Sequence, residues 1–327
     1  MFEVFDQGTE ILQSALRSSY LDAMLENAEN IIDDQVAVED GVPDKETVDK
    51  LQKLYRELKL KDADAETIRQ VIQLSFLKVI RKDAIQANHQ MTPDTIGFLM
   101  AYLIEKIVNL KRPYSIFDPA VGTGNLLTTV INQLKKSNSQ SVKGYGIDND
   151  QAMLEVASAS VALQRLDVDL FHQDSINALD IPECDIAVAD LPIGYYPLDE
   201  NTKNYQTRAE KGHSYVHHLL VEQAMNYLRP GGFGVFLVPS NIFQTKESQS
   251  FVKWIQSVAY LQGLINLPSE LFANPNAQKA ILLLQRHGGN SKQAVKVLLG
   301  EFPSFKQPKE FGAFMQEIDQ WVKTNLG

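Results

Sequence analysis

The stretch S-I-F-D-P-A-V-G-T-G-N at residues 115–125 leaves this chain few ways to fold. A short apolar run ends on Asp118, a turn follows at Pro119 and Ala120, and Gly122 and Gly124 stand one residue apart. Leu126, Leu127, Val130, Ile131 and Leu134 then recur at helical spacing. The pattern is a strand, a tight glycine turn and a helix N-terminus, which together bring backbone N–H groups close to a ligand. Position 127 is Leu, so the third glycine of a dinucleotide-binding fingerprint is missing. An acid at the strand tip, four positions before the first glycine, instead puts a carboxylate where the amine of a cationic ligand would sit.

The same alternation runs on through the chain. Strand signals fall at 114–117, 142–147, 169–171, 185–189, 233–239, 261–267, 280–285 and 294–299. Helical patterns fall at 124–136, 150–163, 215–228 and 245–258, with a last helix at 309–326. Near-continuous apolar strands alternating with helices predict an α/β fold, a doubly wound and mostly parallel sheet covered on both faces. The last strands lie so close in sequence that one of them is expected to run antiparallel. Residues 228–240 read as a helix end, a turn and the fifth strand. Ahead of the alternation, Thr92 followed by Pro93 at an N1-like position opens a helix that runs apolar to Val108. Residues 1–88 read as helical throughout, with Asp44 capping a helix from Lys45 to about Leu58 and a further apolar stripe at Ile68, Val71, Ile72, Phe76 and Val79. The expected division is a helical domain at 1–88 and an α/β domain at 89–327.

Charge separates the two parts. The net charge is −10, and residues 1–44 hold eleven acids against Arg17 alone, so the remainder of the chain balances. Overall acidity argues against tight unaided binding to duplex nucleic acid, where phosphate contacts dominate affinity. The basic run Lys279, Arg286, Lys292, Lys296, Lys306 and Lys309 leaves room for a mildly basic face. The acidic segment reads as a solvated helical cap on the main domain or as a docking surface for a basic partner. Apolar runs are too short to span a bilayer and no signal pattern opens the chain. The single Cys184 rules out an internal disulfide, and a cytoplasmic address fits.

In open α/β sheets, ligands sit at the carboxyl ends of strands where the strand order reverses. Four successive strand ends here carry an acid: Asp118, Asp148, Asp174 and Asp190. One such acid reads as a helix N-cap or loop anchor, as Asp150 does; four in a row call for a ligand rich in hydrogen-bond donors. After Ile193, the polar stretch G-Y-Y-P-L-D-E-N-T-K-N-Y-Q-T-R-A-E-K-G-H carries Tyr195, Tyr196 and Tyr205 with Lys203, Arg208 and Lys211. It reads as a binding element for a nucleotide or as a surface excursion. His213 and His217 have metal-capable spacing, but Ser214 stands where a zinc protease needs Glu, so no metal site is assigned. Cys184 reads as core packing.

On these residues the chain resembles the class I S-adenosylmethionine-dependent methyltransferases. D-P-A-V-G-T-G-N looks like their first motif, in the form found in adenine-specific (N6) DNA methylases. The resemblance covers about Gln90 to Arg286, and the helical segment ahead of it is similar to type I restriction modification subunits. D-L-P-x-G-Y-Y-P is similar to a stretch that recurs in the YtxK-like group of methylase-like bacterial proteins. The resemblance implies a Rossmann-like, seven-stranded methyltransferase sheet and S-adenosylmethionine as cofactor. It places Asp118, Gly122 and Gly124, flanked by Ala120 and Asn125, at the methionine end, with Thr92 near the carboxylate. Asp148 and Asn149 would meet the ribose hydroxyls, and Asp174 and Ser175 the adenine.

Asp190-Leu191-Pro192-Ile193 takes the position of the family's catalytic motif, usually Asn/Asp/Ser-Pro-Pro-aromatic. An exocyclic amine conjugated with a ring is a poor nucleophile. The Asp190 carboxylate and the Leu191 carbonyl would hold its hydrogens and localise the lone pair. Leu191 in place of Pro keeps that carbonyl, whereas Ile193 removes the aromatic on which a flipped base stacks, a role that passes to Tyr195 or Tyr196. The reading is an N-methyltransferase acting on adenine in DNA, reached through a separate specificity partner, since only about 40 residues follow Arg286. Two alternatives stay open: methylation of a protein or RNA amide or amine, and a catalytically silent cofactor-binding protein that works through its acidic helices.

Overall fold

A computed structural model describes residues 1–83, 91–108, 110–137, 140–245, 247–272, 274 and 277–326. The expected boundary between residues 88 and 89 lies outside the described residues. Four helices come first: α1 (Phe2–Leu16), α2 (Tyr20–Asp33), α3 (Lys45–Leu58) and α4 (Ala65–Lys82). Short polar side chains start three of them. Ser19 makes a capping box with Asp22, and Asp44 and Asp64 accept from the N–H groups of Thr47 and Thr67. Helix α5 (Asp94–Ile107) begins one residue later than expected, with Pro93 as its N-cap.

The α/β part follows as β1 (Tyr114–Asp118), α6 (Asn125–Ser137), β2 (Val142–Asp148), α7 (Gln151–Gln164), β3 (Val168–His172), β4 (Cys184–Asp190), α8 (Val216–Asn226), β5 (Leu228–Pro239), α9 (Ser248–Val258), β6 (Ala259–Asn266), β7 (Lys279–Arg286), β8 (Leu298–Glu301) and α10 (Pro308–Asn325). All eight strands join one sheet in the order β3-β2-β1-β4-β5-β7-β6-β8. The first five are parallel, and β7 runs antiparallel to both neighbours, which supplies the expected reversal. The chain steps outward from β1 to β3, then returns to β4 on the other side of β1, so the strand order reverses between β1 and β4.

Three local expectations are corrected. The sheet has eight strands rather than seven, because β8 pairs in parallel with β6 at the far edge. That strand starts at Leu298, four residues later than the start of the 294–299 signal, since its partner register begins at Gly263↔Leu298, just beyond the bulge between Leu261 and Gly263. The helix end and turn read ahead of the fifth strand within 228–240 are instead a bulge inside β5: Leu228 pairs with Cys184 and Phe233 with Ile186, and Gly231 takes φ +84° to fit the excess residues.

Strand alternation sorts side chains to two faces. Ile186, Val188, Val235, Leu237, Ile281 and Leu283 pack under α5, α6 and α10. Ala187, Ala189, Phe236, Val238, Leu282 and Leu284 pack under α8 and α9. A third core joins the N-terminal helices to α7, where Phe5, Tyr20, Met24, Ile72 and Phe76 meet Met153, Val156, Ala159 and Leu163. Helix α7 is therefore covered on both sides, which explains its nearly all-round apolar sequence.

Candidate active site

Asp118, Asp148 and Asp190 are the last residues of β1, β2 and β4. Asp174 lies two residues past β3. The parallel strands bring these ends to one edge, beside the reversal between β1 and β4. The glycine turn closes over that edge through its own backbone. Ala120 N–H donates to Asp118 Oδ1 (2.9 Å), Gly122 N–H to Asp148 Oδ2 (2.8 Å) and Gly124 N–H to the Val121 carbonyl (2.8 Å). Gly122 and Gly124 both sit at positive φ (51° and 75°), the reason that glycine is needed there. A Cβ on Gly122 would meet nothing within 4 Å, so open space lies over the turn.

The acids are not equivalent. Asp118 is buried, and burial pushes its carboxyl well above the usual carboxylate range; the charges of Asp148 and Asp190 add to that push, against the Ala120 hydrogen bond. Burial raises Asp148 as well, opposed by the N–H groups of Asp150 and Gly122. Asp174 accepts from Ile176 N–H (3.0 Å) and from the Tyr196 hydroxyl (2.5 Å). Ser175 is buried and its hydroxyl donates to the Pro119 carbonyl, which ties the end of β3 to the glycine turn. Asn149 is exposed and its carbonyl meets His172 Nε2 at 3.1 Å. Asp150 caps α7 by accepting from Met153 N–H, as expected.

The Thr92 hydroxyl donates to Asp190 Oδ2 (2.9 Å) and its carbonyl accepts from Asn125 Nδ2 (3.0 Å). Asn125 is buried and engaged at both ends, because its Oδ1 accepts from Arg69 of α4. The other Asp190 oxygen is paired with the ammonium of Lys279. Leu191 is fully buried, its N–H held by the Leu237 carbonyl (3.1 Å), while Pro192 and Ile193 are exposed.

The polar stretch after Ile193 is an ordered excursion pinned at its base. Tyr196 N–H donates to the Ser214 carbonyl and Val216 N–H to the Gly194 carbonyl. Tyr196 and Tyr205 turn inward, Tyr205 donating to the Ile176 carbonyl, whereas Tyr195 is 60% exposed. Its ring stacks on Tyr215 at 4.8 Å and 18°. His213 is exposed and bonded to Asp199, and His217 is buried in α8, so the two do not form a ligand pair. Among the described residues no three His, Cys, Asp or Glu side chains are grouped to hold a metal, and no helix is long and apolar enough to cross a membrane.

Sequence reasoning singled out neither Arg69, Tyr215 nor Lys279 for the site. In the sequence Lys279 reads only as one of a mildly basic run, not as a partner of Asp190. Two carboxyls lifted chiefly by burial, beside a turn of backbone N–H groups under open space, suit a ligand carrying an ammonium or sulfonium with hydroxyl and amino donors. S-adenosylmethionine has that donor set.

Residues 77–317 match the profile of the N-6 DNA methylase family, and residues 1–80 match the YtxK N-terminal helical domain. The Bacillus subtilis protein YtxK, itself uncharacterised, is 35% identical over 326 residues, 99% of this chain and 97% of that one. A crystal structure from Listeria monocytogenes, provisionally assigned as a class I S-adenosylmethionine-dependent methyltransferase, is 40% identical and superposes with a TM-score of 0.89, over 98% of this chain and 97% of the other. The MjaVII type I restriction enzyme methylase subunit of Methanocaldococcus jannaschii is 20% identical over 284 residues, 80% of this chain but 47% of that subunit.

Proposed function

The chain belongs to the N-6 DNA methylase family, whose members use S-adenosylmethionine, and from that premise we propose an N-methyltransferase whose acceptor is the exocyclic amino group of adenine in DNA. One observation carries the reading. Asp190 ends β4 beside the strand of Asp118, its carboxylate is fixed by Thr92, and the peptide that follows is held by the Leu237 carbonyl. The carboxylate is thereby held at the acid-lined edge of the sheet, and the Leu191 carbonyl, one peptide further on, would be the second acceptor.

When bound, S-adenosylmethionine supplies a methyl group made electrophilic by its sulfonium. Asp118 would hold the ammonium of the methionine end, with the Gly122 and Gly124 backbone alongside. Asp148 would accept from the ribose diol and Asp174 from the adenine amino group, Tyr196 fixing the Asp174 carboxyl. Asp190 and Leu191 would accept the two amine hydrogens of the target, turning its lone pair out of conjugation. Thr92 would keep the Asp190 carboxylate from rotating, a positioning role. Tyr195, braced by Tyr215, would offer the ring that Ile193 lacks. Duplex selection would come from a separate specificity subunit, and a cytoplasmic location agrees with the single buried cysteine.

The test is transfer of labelled methyl to unmethylated duplex and single-stranded DNA, ribosomal RNA and cellular protein. Label in DNA adenine that vanishes with Asp190→Ala supports the reading. Label confined to RNA or protein keeps the chemistry and discards the DNA acceptor. The occupied Asp190 carboxylate and exposed Ile193 favour one second reading, a binding protein without turnover. Absence of label in every sample, with cofactor bound, would establish it.

A further inference from the structure

Both oxygens of Asp190 are engaged by the chain itself. Oδ2 accepts from Thr92, and Oδ1 faces Lys279 Nζ. The second partner is itself an amine, a nitrogen carrying hydrogens, at the place where the proposed acceptor amine would dock. Lys279 reaches it because β7 is antiparallel: its first residue, paired with Pro239, arrives at the edge where β4 and β5 end. The backbone there is fixed, since Leu267 N–H donates to the Lys279 carbonyl (2.9 Å). Only the four-carbon stem can move the charge. The pair is open enough to exchange, with the Lys279 and Asp190 side chains 22% and 20% exposed.

We infer that Lys279 is a specificity residue, an internal stand-in for the acceptor amine that yields only to acceptors carrying an anionic group beside theirs. The inference rests on the transferase reading of the same site. A neutral amine that displaces the ammonium leaves it without a counter-charge next to a partly dry edge. An acceptor with a neighbouring phosphate takes over the ammonium while its amine takes over Asp190, so the two exchanges balance in charge. A peptide amide offers no such anion.

The experiment uses the full chain saturated with S-adenosylhomocysteine and compares binding of a short adenine-containing single strand with that of its uncharged methylphosphonate analogue. Wild type should prefer the charged strand by about tenfold or more. Lys279→Met should bind the uncharged strand more tightly than wild type while binding the charged one more weakly. A lysine that merely added positive charge would weaken the charged strand and leave the uncharged one unchanged; that result overturns the inference, as does failure of both strands to bind. A second readout needs no acceptor. Reductive methylation of Lys279 by formaldehyde and borane, followed by mass spectrometry, should be severalfold faster in Asp190→Ala, and equal rates overturn the inference. Methyl transfer to some other acceptor, alongside either negative result, would leave the transferase reading standing.

Discussion

Arg69 Nη1 donates to Asn125 Oδ1 across 2.7 Å, so a guanidinium from the N-terminal helices is bonded to the residue that follows the glycine turn. The contact continues into the site. Asn125 Nδ2 donates to the Thr92 carbonyl, and the Thr92 hydroxyl donates to Asp190. Arg69 is 1% exposed and also makes paired hydrogen bonds with Glu66 and Asp94. Arg69→Met should therefore destabilise the fold by about 3–5 kcal/mol, the cost of stranding a buried carboxylate partner. It should also weaken cofactor binding, which urea denaturation and titration calorimetry would measure on the same samples. Unchanged affinity would mean that the helices support the fold without supporting the glycine turn.

Folding lifts the Asp118 carboxyl, so the native chain keeps a proton there at pH values where the unfolded chain has lost it. This group favours the folded state below its ordinary pKa, and that advantage disappears as pH rises through the lifted value. Asp118→Asn should accordingly gain thermal stability over wild type progressively as pH rises above the ordinary carboxylate range. A cation docking on Asp118 should expel the proton. Cofactor binding should then release up to about one proton, read as heats that differ between buffers of different ionisation enthalpy.

Gly122 shows how a site residue separates from a fold residue. A Cβ there has room, and its penalty is the left-handed backbone at φ +51°, about 1–2 kcal/mol. Gly122→Ala should fold, with a modest drop in unfolding midpoint, yet lose cofactor affinity because the methyl fills the space over the turn. Calorimetric titration giving wild-type affinity would remove this turn from the binding surface.

The stacked Tyr195 and Tyr215 rings make a fourth experiment. Tyr195→Ala should leave cofactor affinity intact and raise the acceptor KM about tenfold to a hundredfold, the range for loss of one base-stacking ring. Tyr215→Ala should follow it in part, since Tyr215 braces the ring from behind. Equal KM values in both variants and wild type would rule out the platform.

His218 lies flat against Phe251 at 4.3 Å and 4°, with both ring nitrogens buried and unpartnered among the described residues. Burial drives its pKa down to about 3, and that of His217 to about 4. The unfolded chain takes up protons that the native rings refuse, so wild-type stability is lost as pH falls from the ordinary histidine value toward these depressed ones. His218→Phe should stabilise the protein by about 1–3 kcal/mol at neutral pH, by removing unsatisfied polar atoms. The gain should widen on acidification; equal acid-unfolding curves would contradict it.

Sequence alone determined the layered α/β architecture, the presence but not the identity of one antiparallel strand near the end, and the acids at or just past four strand ends. Those features depend on local period, and a period of two or of 3.6 can be read wherever it occurs. It determined that Asp150 caps α7 and Asp44 caps α3, because a cap reaches only three residues along the chain. The tertiary structure decided the partners. Lys279 and Asp190 are separated by 89 positions, Thr92 and Asp190 by 98, and Arg69 and Asn125 by 56. No periodicity carries such a pairing. Each depends on which strand lies beside which, and in the case of Lys279 on the direction in which β7 runs. Reversing β7 would carry that ammonium to the opposite edge of the sheet and leave every local pattern in the sequence unchanged.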